Sequence, residues 1–200
     1  SYKRGVKTRI FDNIGNGWSC VRLSEILSER KIYCEKDGTY PHATLSKDGV
    51  SAKTERYDRD YLVSSDDKKY KITYYGDICY NPANLKFGVI CLNTFGDAIF
   101  SPIYVTFEVK EDYDNSFIGE CVTRTDFINE ALQYQQGTVY ERMAVSPEDL
   151  LSMTITVPSL HEQQRIARCL KEYDLLIEKQ SNILNNLITL KKALLSQLFI

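Results

Sequence analysis

The spacing of apolar residues divides this chain into stretches of different period. Between Ile32 and Leu92, short runs rich in β-branched and aromatic residues are separated by turn residues, with Lys36-Asp37-Gly38 and Lys47-Asp48-Gly49 as the clearest breaks. That pattern is the signature of half-buried strands. It predicts strands at 32–34, 39–45, 69–75, 78–80, 89–92, 98–100 and 103–109. Before them, Trp18, Val21, Leu23, Ile26 and Leu27 predict an opening strand and a short helix capped by Ser24. After them, Phe127, Ile128, Ala131, Leu132 and Tyr134 make one face of a helix at 126–136 that Gly137 is placed to end. Ser146-Pro147 starts a further short helical turn, and Met153, Ile155 and Val157 alternate with Thr154 and Thr156 in a strand at 152–157.

From Pro158 onward the period changes, and no glycine or further proline interrupts the chain. Ser159 and Glu162 have the spacing of a capping box. Alternating steps of four and three then select Ile166, Leu170, Tyr173, Ile177, Leu184, Leu187, Leu194 and Leu198, with Gln180 and Lys191 as the polar members of the row. This is the seam of a coiled coil, so the helix needs a partner, and Gln180 and Lys191 are candidates for setting its register. A helix of this length extends about 60 Å. An ordinary helix folded back on its own domain is the other reading of the periodicity, and the length argues against it. Lys171, Glu172, Asp174, Glu178, Lys179, Lys191 and Lys192 break up any run that could span a membrane. The expected architecture is α+β, a β-rich globular head over 1–157 and a helical arm over 158–200.

Composition changes this picture little. A hydrophobic content of 43% with 12% aromatic residues is enough for a globular core. The N-terminus carries neither a secretion signal nor a basic targeting peptide, so a cytoplasmic location is expected. Cys20, Cys34, Cys79, Cys91, Cys121 and Cys169 are scattered singly and only His42 and His161 could join them, which argues against a zinc site or a disulfide framework. A formal charge of −2 is unlike that of a basic nucleic-acid binder. Any phosphate contacts must therefore be local.

Candidate chemistry is sparse. Asp77-Ile78-Cys79-Tyr80-Asn81-Pro82-Ala83-Asn84 resembles the Asn-Pro-Pro-aromatic tetrapeptide of amino-methyltransferases, but Ala83 replaces the second proline and Asn84 the aromatic that would stack on a flipped base. No glycine-rich turn between strand and helix offers a cofactor site. With two histidines, one of them in the first turn of the long helix, no nucleophilic triad can be assembled. No catalytic residue, metal ligand or cofactor is assigned to this chain. One further pattern is internal: YKRGVKTRIF at 2–11 can be laid on LKKALLSQLF at 190–199, as if the chain began in the last turns of a helix equivalent to the one in which it ends. Chance similarity of two basic amphipathic decapeptides is the alternative.

Four stretches together resemble the specificity subunit of type I restriction-modification enzymes, or one half of it. They are GWSCVRLSEIL, YKITYYGDICYNPANLKFGVI, GDAIFSPIYVTFEV, and QGTVYERMAVSPEDLLSMTITVPSLHEQQRIARCLKEYDLLI. The most specific part is Pro158, Leu160, Glu162-Gln163 and Ile166-Ala167 at the start of the long helix. The resemblance implies a target recognition domain followed by a spacer helix. It implies double-stranded DNA as ligand, and as partners the modification and restriction subunits and a second specificity half paired through antiparallel helices. S-adenosylmethionine and all catalysis would then belong to the partner subunits. Two other classes remain open: a coiled-coil adaptor whose head binds protein, and a recognition domain cut from a fused methyltransferase.

The segment 46–71 reads as a long exposed loop of mixed charge. With the turn at 81–86 it supplies the expected DNA contacts: Lys47, Lys53, Arg56, Tyr57, Arg59, Asn84 and Lys86. Arginine and asparagine are suited to base edges and lysine to phosphates. The opposing reading pairs Arg56 and Arg59 with Glu55, Asp58 and Asp60 on a solvated loop, in which case the polar face around Arg124, Asn129 and Gln133 is next to consider.

Overall fold

A computed structural model describes residues 17–36, 38–53, 69–135 and 143–198. The candidates Arg56, Tyr57 and Arg59, the segment 2–11 and Gly137 lie outside these residues. The first strand, β1 (Ser19–Arg22), does not pair with its neighbours in sequence. It runs antiparallel to the last strand, β11 (Thr154–Val157), with Ser19 opposite Val157. The chain thus returns to its start before the arm departs. Helix α1 (Leu23–Ile26) follows β1 with no turn between them. Its N-cap is Arg22 rather than Ser24, and no side chain caps it.

Two antiparallel sheets form the centre. One has the order β2 (Leu27–Glu29), β10 (Val105–Val109), β7 (Ile78–Tyr80), β8 (Ile90–Leu92). The other is β3 (Tyr33–Cys34), β6 (Tyr70–Thr73), β9 (Ala98–Phe100). The hairpin β4 (Ala43–Ser46) and β5 (Gly49–Ala52) packs over them through Ala43, Leu45 and Val50. The predicted strands are there, most of them shorter at one or both ends. The expected loop at 46–71 is corrected in its first part, which closes this hairpin, and at its end, where Tyr70 and Lys71 are buried in β6. The strand predicted at 69–75 already overlapped that end, whereas β5, Gly-Val-Ser-Ala, has a single large apolar residue and no alternation to mark it.

Helix α2 (Asn115–Thr123) was not foreseen. Gly119 in its middle weakens the helical signal, but a Cβ there would stand 3.0 Å from the Cβ of Leu92, so the small residue lets α2 lie against β8. The predicted helix at 126–136 is shorter, α3 (Thr125–Ala131) followed by a 3-10 turn at Leu132–Tyr134. Helix α4 (Pro147–Ser152) is capped by Ser146, whose Oγ accepts from the Asp149 N–H at 3.0 Å. Leu23, Ile26, Ile78, Phe107, Ile118 and Leu150 are fully buried where α1, α2 and α4 meet the first sheet. Burial of such side chains contributes about 1.5–3 kcal/mol each and places the core between helices and sheet.

The arm, α5 (Leu160–Leu198), is one helix of 39 residues, about 60 Å long. Its N-terminus departs from the expected capping box. Glu162 accepts from Arg165 Nη2 at 2.7 Å instead of reaching back, and the Ser159 carbonyl accepts from the Gln163 N–H at 2.9 Å. Among the described residues, no helix is long and apolar enough to cross a membrane.

Candidate nucleic-acid interface

One end of the head collects three turns. The first joins β4 to β5, where Ser46 pairs with Gly49 and leaves Lys47 and Asp48 as a two-residue loop. Gly49 takes φ 110°, a conformation that disfavours side chains, and the Asp48 N–H donates to Ser46 Oγ at 3.1 Å. Lys47 is exposed at the tip. The second turn follows β7 and is pinned at both ends. Asn81 Oδ1 accepts from the Ala83 N–H at 3.1 Å, and the Asn81 N–H donates to the Val89 carbonyl at 3.0 Å. The third turn precedes β10, and it lies beside the second because Val105 pairs with Tyr80.

Position in the sheets brings these turns together. Thr44 Oγ1 and Tyr104 Oη are 3.3 Å apart, which ties the first hairpin to the third turn. The Cys91 thiol is hydrogen bonded to the Val50 backbone. Lys47 and Gly88 are each three residues before that contact, and three residues of chain reach at most about 10 Å. The first two tips therefore lie within one turn of duplex, roughly 34 Å.

Of the sequence candidates, Asn84 and Lys86 share the second turn and are both exposed, and Lys47 stands on the neighbouring tip. Lys53 is at the far end of the hairpin, half-buried, where its N–H donates to the His42 carbonyl at 2.8 Å. The sequence reading missed Phe87. It is 64% exposed, with Lys86 Nζ 5.0 Å from its ring centre. In sequence a phenylalanine two residues from Leu85 reads as core, and only the turn geometry turns it outward. On the alternative face, Arg124 Nε donates to Asp126 Oδ1 at 2.9 Å, while Asn129 and Gln133 are exposed.

At the end of β7 away from these turns is a polar network. Asp77, 3% exposed, accepts from Arg30 Nε and Nη2 at 3.0 Å each, from the Tyr74 N–H at 2.8 Å and from Thr73 Oγ1 at 3.3 Å. Arg30 lies 4.6 Å over the Tyr74 ring. Burial works to lower the Arg30 pKa, and the Asp77 carboxylate outweighs it, so the guanidinium is held above its ordinary value. With both partners inside, this pair orders β2 against β7 rather than meeting a ligand. His42 stands edge-on to Tyr70 with ring centres 5.0 Å apart, and His161 is exposed on the first turn of α5. Among the described residues, no cluster of His, Cys, Asp or Glu could hold a metal ion.

The arm is rooted by Gln163, which is 1% exposed. Its Oε1 accepts from the Asp114 N–H at 3.0 Å and its Nε2 donates to the Pro158 carbonyl at 2.9 Å, joining α5 to the start of α2 and the end of β11. Ala167 is buried and Ile166 packs on the core. Beyond them the seam leaves the head: Leu170, Tyr173, Ile177, Leu184, Leu187, Leu194 and Leu198 are between 38% and 74% exposed. A continuous apolar stripe on a single helix marks a surface built to be covered.

Residues 17–188 match the model of the Type I restriction modification DNA specificity domain. The chain belongs to this specificity-domain family. Its fold is that of solved specificity subunits. The HsdS subunit from Thermoanaerobacter tengcongensis is 17% identical, with a TM-score of 0.55 over 86% of this chain and 46% of that one. The type I restriction-modification S subunit from M. genitalium is 16% identical, with a TM-score of 0.55 over 85% of this chain and 42% of that one. The specificity domain described here thus spans less than half the length of either subunit. No curated protein matches its sequence.

Proposed function

We propose that this chain reads one half of a split DNA site and measures the distance to the other half. The head, 1–157, would carry the reading surface on its three clustered turns. The arm, 158–200, would pair antiparallel with an equivalent helix and hold a second head at the opposite end. The observation that carries this reading is the arm itself, 39 residues rooted in the head by a buried glutamine and bare along its apolar seam. A ruler needs a rigid root and a face for a partner, and one element offers both.

In this reading the chain contributes specificity and no chemistry. A modification subunit would bind S-adenosylmethionine and methylate adenine, and a restriction subunit would cut. Lys47 and Lys86 would meet phosphates and Asn84 a base edge, with Lys53, Arg56, Tyr57 and Arg59 as the remaining contact candidates. Because the whole chain carries a charge of −2, attraction to DNA depends on where these cations sit. The test is to express the gene with its neighbouring modification gene in a methylation-free host and map modified adenines by long-read sequencing. A bipartite motif that disappears when this gene is deleted is the expected result. Unmodified DNA, or a motif that persists after deletion, would overturn the proposal.

A further inference from the structure

We infer that Phe87 makes an apolar contact with a base of the bound duplex, flanked by Lys86 on phosphate. The inference rests on the DNA-reading function proposed above and adds a specificity-determining residue to it. An exposed phenylalanine alone is unremarkable on a protein surface. What distinguishes this one is that its turn is built to hold it out. Leu85, on one side of Lys86, is fully buried as the anchor. The Phe87 N–H donates to the Asn84 carbonyl at 2.9 Å and the Gly88 N–H to the Leu85 carbonyl at 2.8 Å. Gly88 closes the turn at φ 77°, and the Val145 N–H fastens Pro82 from outside at 3.2 Å. With its backbone bonded in this way, the turn has little backbone entropy left to lose when the ring makes contact.

The surroundings decide what the ring meets. Its exposed neighbours on the turn are Asn84 and Lys86, an amide and a cation, and Lys47 and Asp48 stand on the adjacent tip. A stable protein–protein contact needs about 800 Å² from each side, with a mostly apolar centre. Phe87, even with the exposed Ile103 on the third turn, offers far less than that. It suits the edge of a base, where an apolar side chain meets a thymine methyl, or the face of an unstacked base, where it acts as a wedge. Both are apolar base contacts and both carry sequence information that a lysine on phosphate does not.

The experiment uses the co-expressed complex with its own modification subunit, carrying wild-type chain, Phe87→Ala or Phe87→Leu. Methylated adenines are mapped across the host genome, and assembly is followed by size-exclusion chromatography. Phe87→Ala is expected to assemble normally, to lower methylation of the wild-type motif on the order of tenfold, and to admit other bases at one position of one half-site. Phe87→Leu, which keeps an apolar tip, should retain most of the preference. A duplex bearing the wild-type motif, with deoxyuridine in place of thymine, then separates the two contacts. Weaker binding by wild type but not by Phe87→Ala identifies a methyl contact, and equal binding identifies the base face. If the alanine variant keeps the wild-type motif and extent, the inference is wrong. If it fails to assemble with the modification subunit, Phe87 is a subunit contact and the inference is likewise wrong. A wild-type complex that methylates no motif would remove the proposed function and this inference together.

Discussion

Gln163→Met should loosen the arm from the head without leaving a hole. The substitution keeps the volume of the side chain while removing both its hydrogen bonds, so the loss is polar and not steric. The Pro158 carbonyl is buried, and without Nε2 it loses its donor at 2.9 Å. An unpaired buried acceptor costs about 1–3 kcal/mol. The Asp114 N–H, 3.0 Å from Oε1, is only partly buried, so water can replace much of that bond and the added cost is nearer 1 kcal/mol. Together the change is about 2–4 kcal/mol. For a protein of this size each kcal/mol moves the melting temperature by about 2–4 °C, so the midpoint should fall by about 10 °C. Circular dichroism at 222 nm during heating reads this directly, with Gln164→Met, on the exposed neighbouring position, as control. A fall of less than about 2 °C would refute the reasoning. The apolar packing of Ile166 and Ala167 would then hold the arm by itself.

Three other outcomes are expected. Leu184→Asp should leave the melting of the isolated chain nearly unchanged, since Leu184 is 58% exposed, yet abolish helix pairing in sedimentation because a charge would enter the seam; pairing that survives means that the helix associates by another face. Asp77→Ala should destabilise the head by about 1.5–3 kcal/mol in urea unfolding, because Arg30 loses its bidentate partner and keeps only the exposed Glu108 at 3.4 Å, and adding Arg30→Met should recover part of the loss. A double variant as unstable as the single one would contradict that assignment. At pH 8, iodoacetamide should label the exposed Cys20 in the folded protein and spare Cys91 and Cys121, whose thiols burial pushes up to about 11. Cys79, which burial holds well above the ordinary thiol value, should also be spared until urea is added, and mass spectrometry gives the order of labelling.

Much of the fold was legible because two signals are local. Alternation over three to five residues and a seam sustained from Ile166 to Leu198 need no knowledge of the rest of the chain. They were enough for a β-rich head, for an unbroken arm and, with the motif from Pro158 to Ala167, for the family. The motif itself acquires its meaning in three dimensions. Glu162 reads as the capping residue, whereas Gln163 is the one that is buried and bonded to Asp114 and Pro158. No spacing rule could separate them, since burial depends on where α2 lies.

Tertiary structure alone decided the rest. Helix α2 was hidden by Gly119, a residue that disfavours helix locally and is accepted because a Cβ there would crowd the Cβ of Leu92 at 3.0 Å. The pairing of β1 with β11 joins residues at opposite ends of the head, and a single sequence carries no signal for such long-range partners. The candidate contacts show the same division. Residue type marked Lys47, Asn84 and Lys86 as suited to DNA, but whether their turns share one end of the head depended on the register of β7 with β10 and on the contact of Val50 with Cys91. Phe87 is the sharpest case. Hydrophobicity assigns it to the core, and only the buried Leu85 and the left-handed Gly88 on either side of it turn the ring to solvent. Sequence determines what a side chain can do, and the packing of distant segments determines where it is allowed to do it.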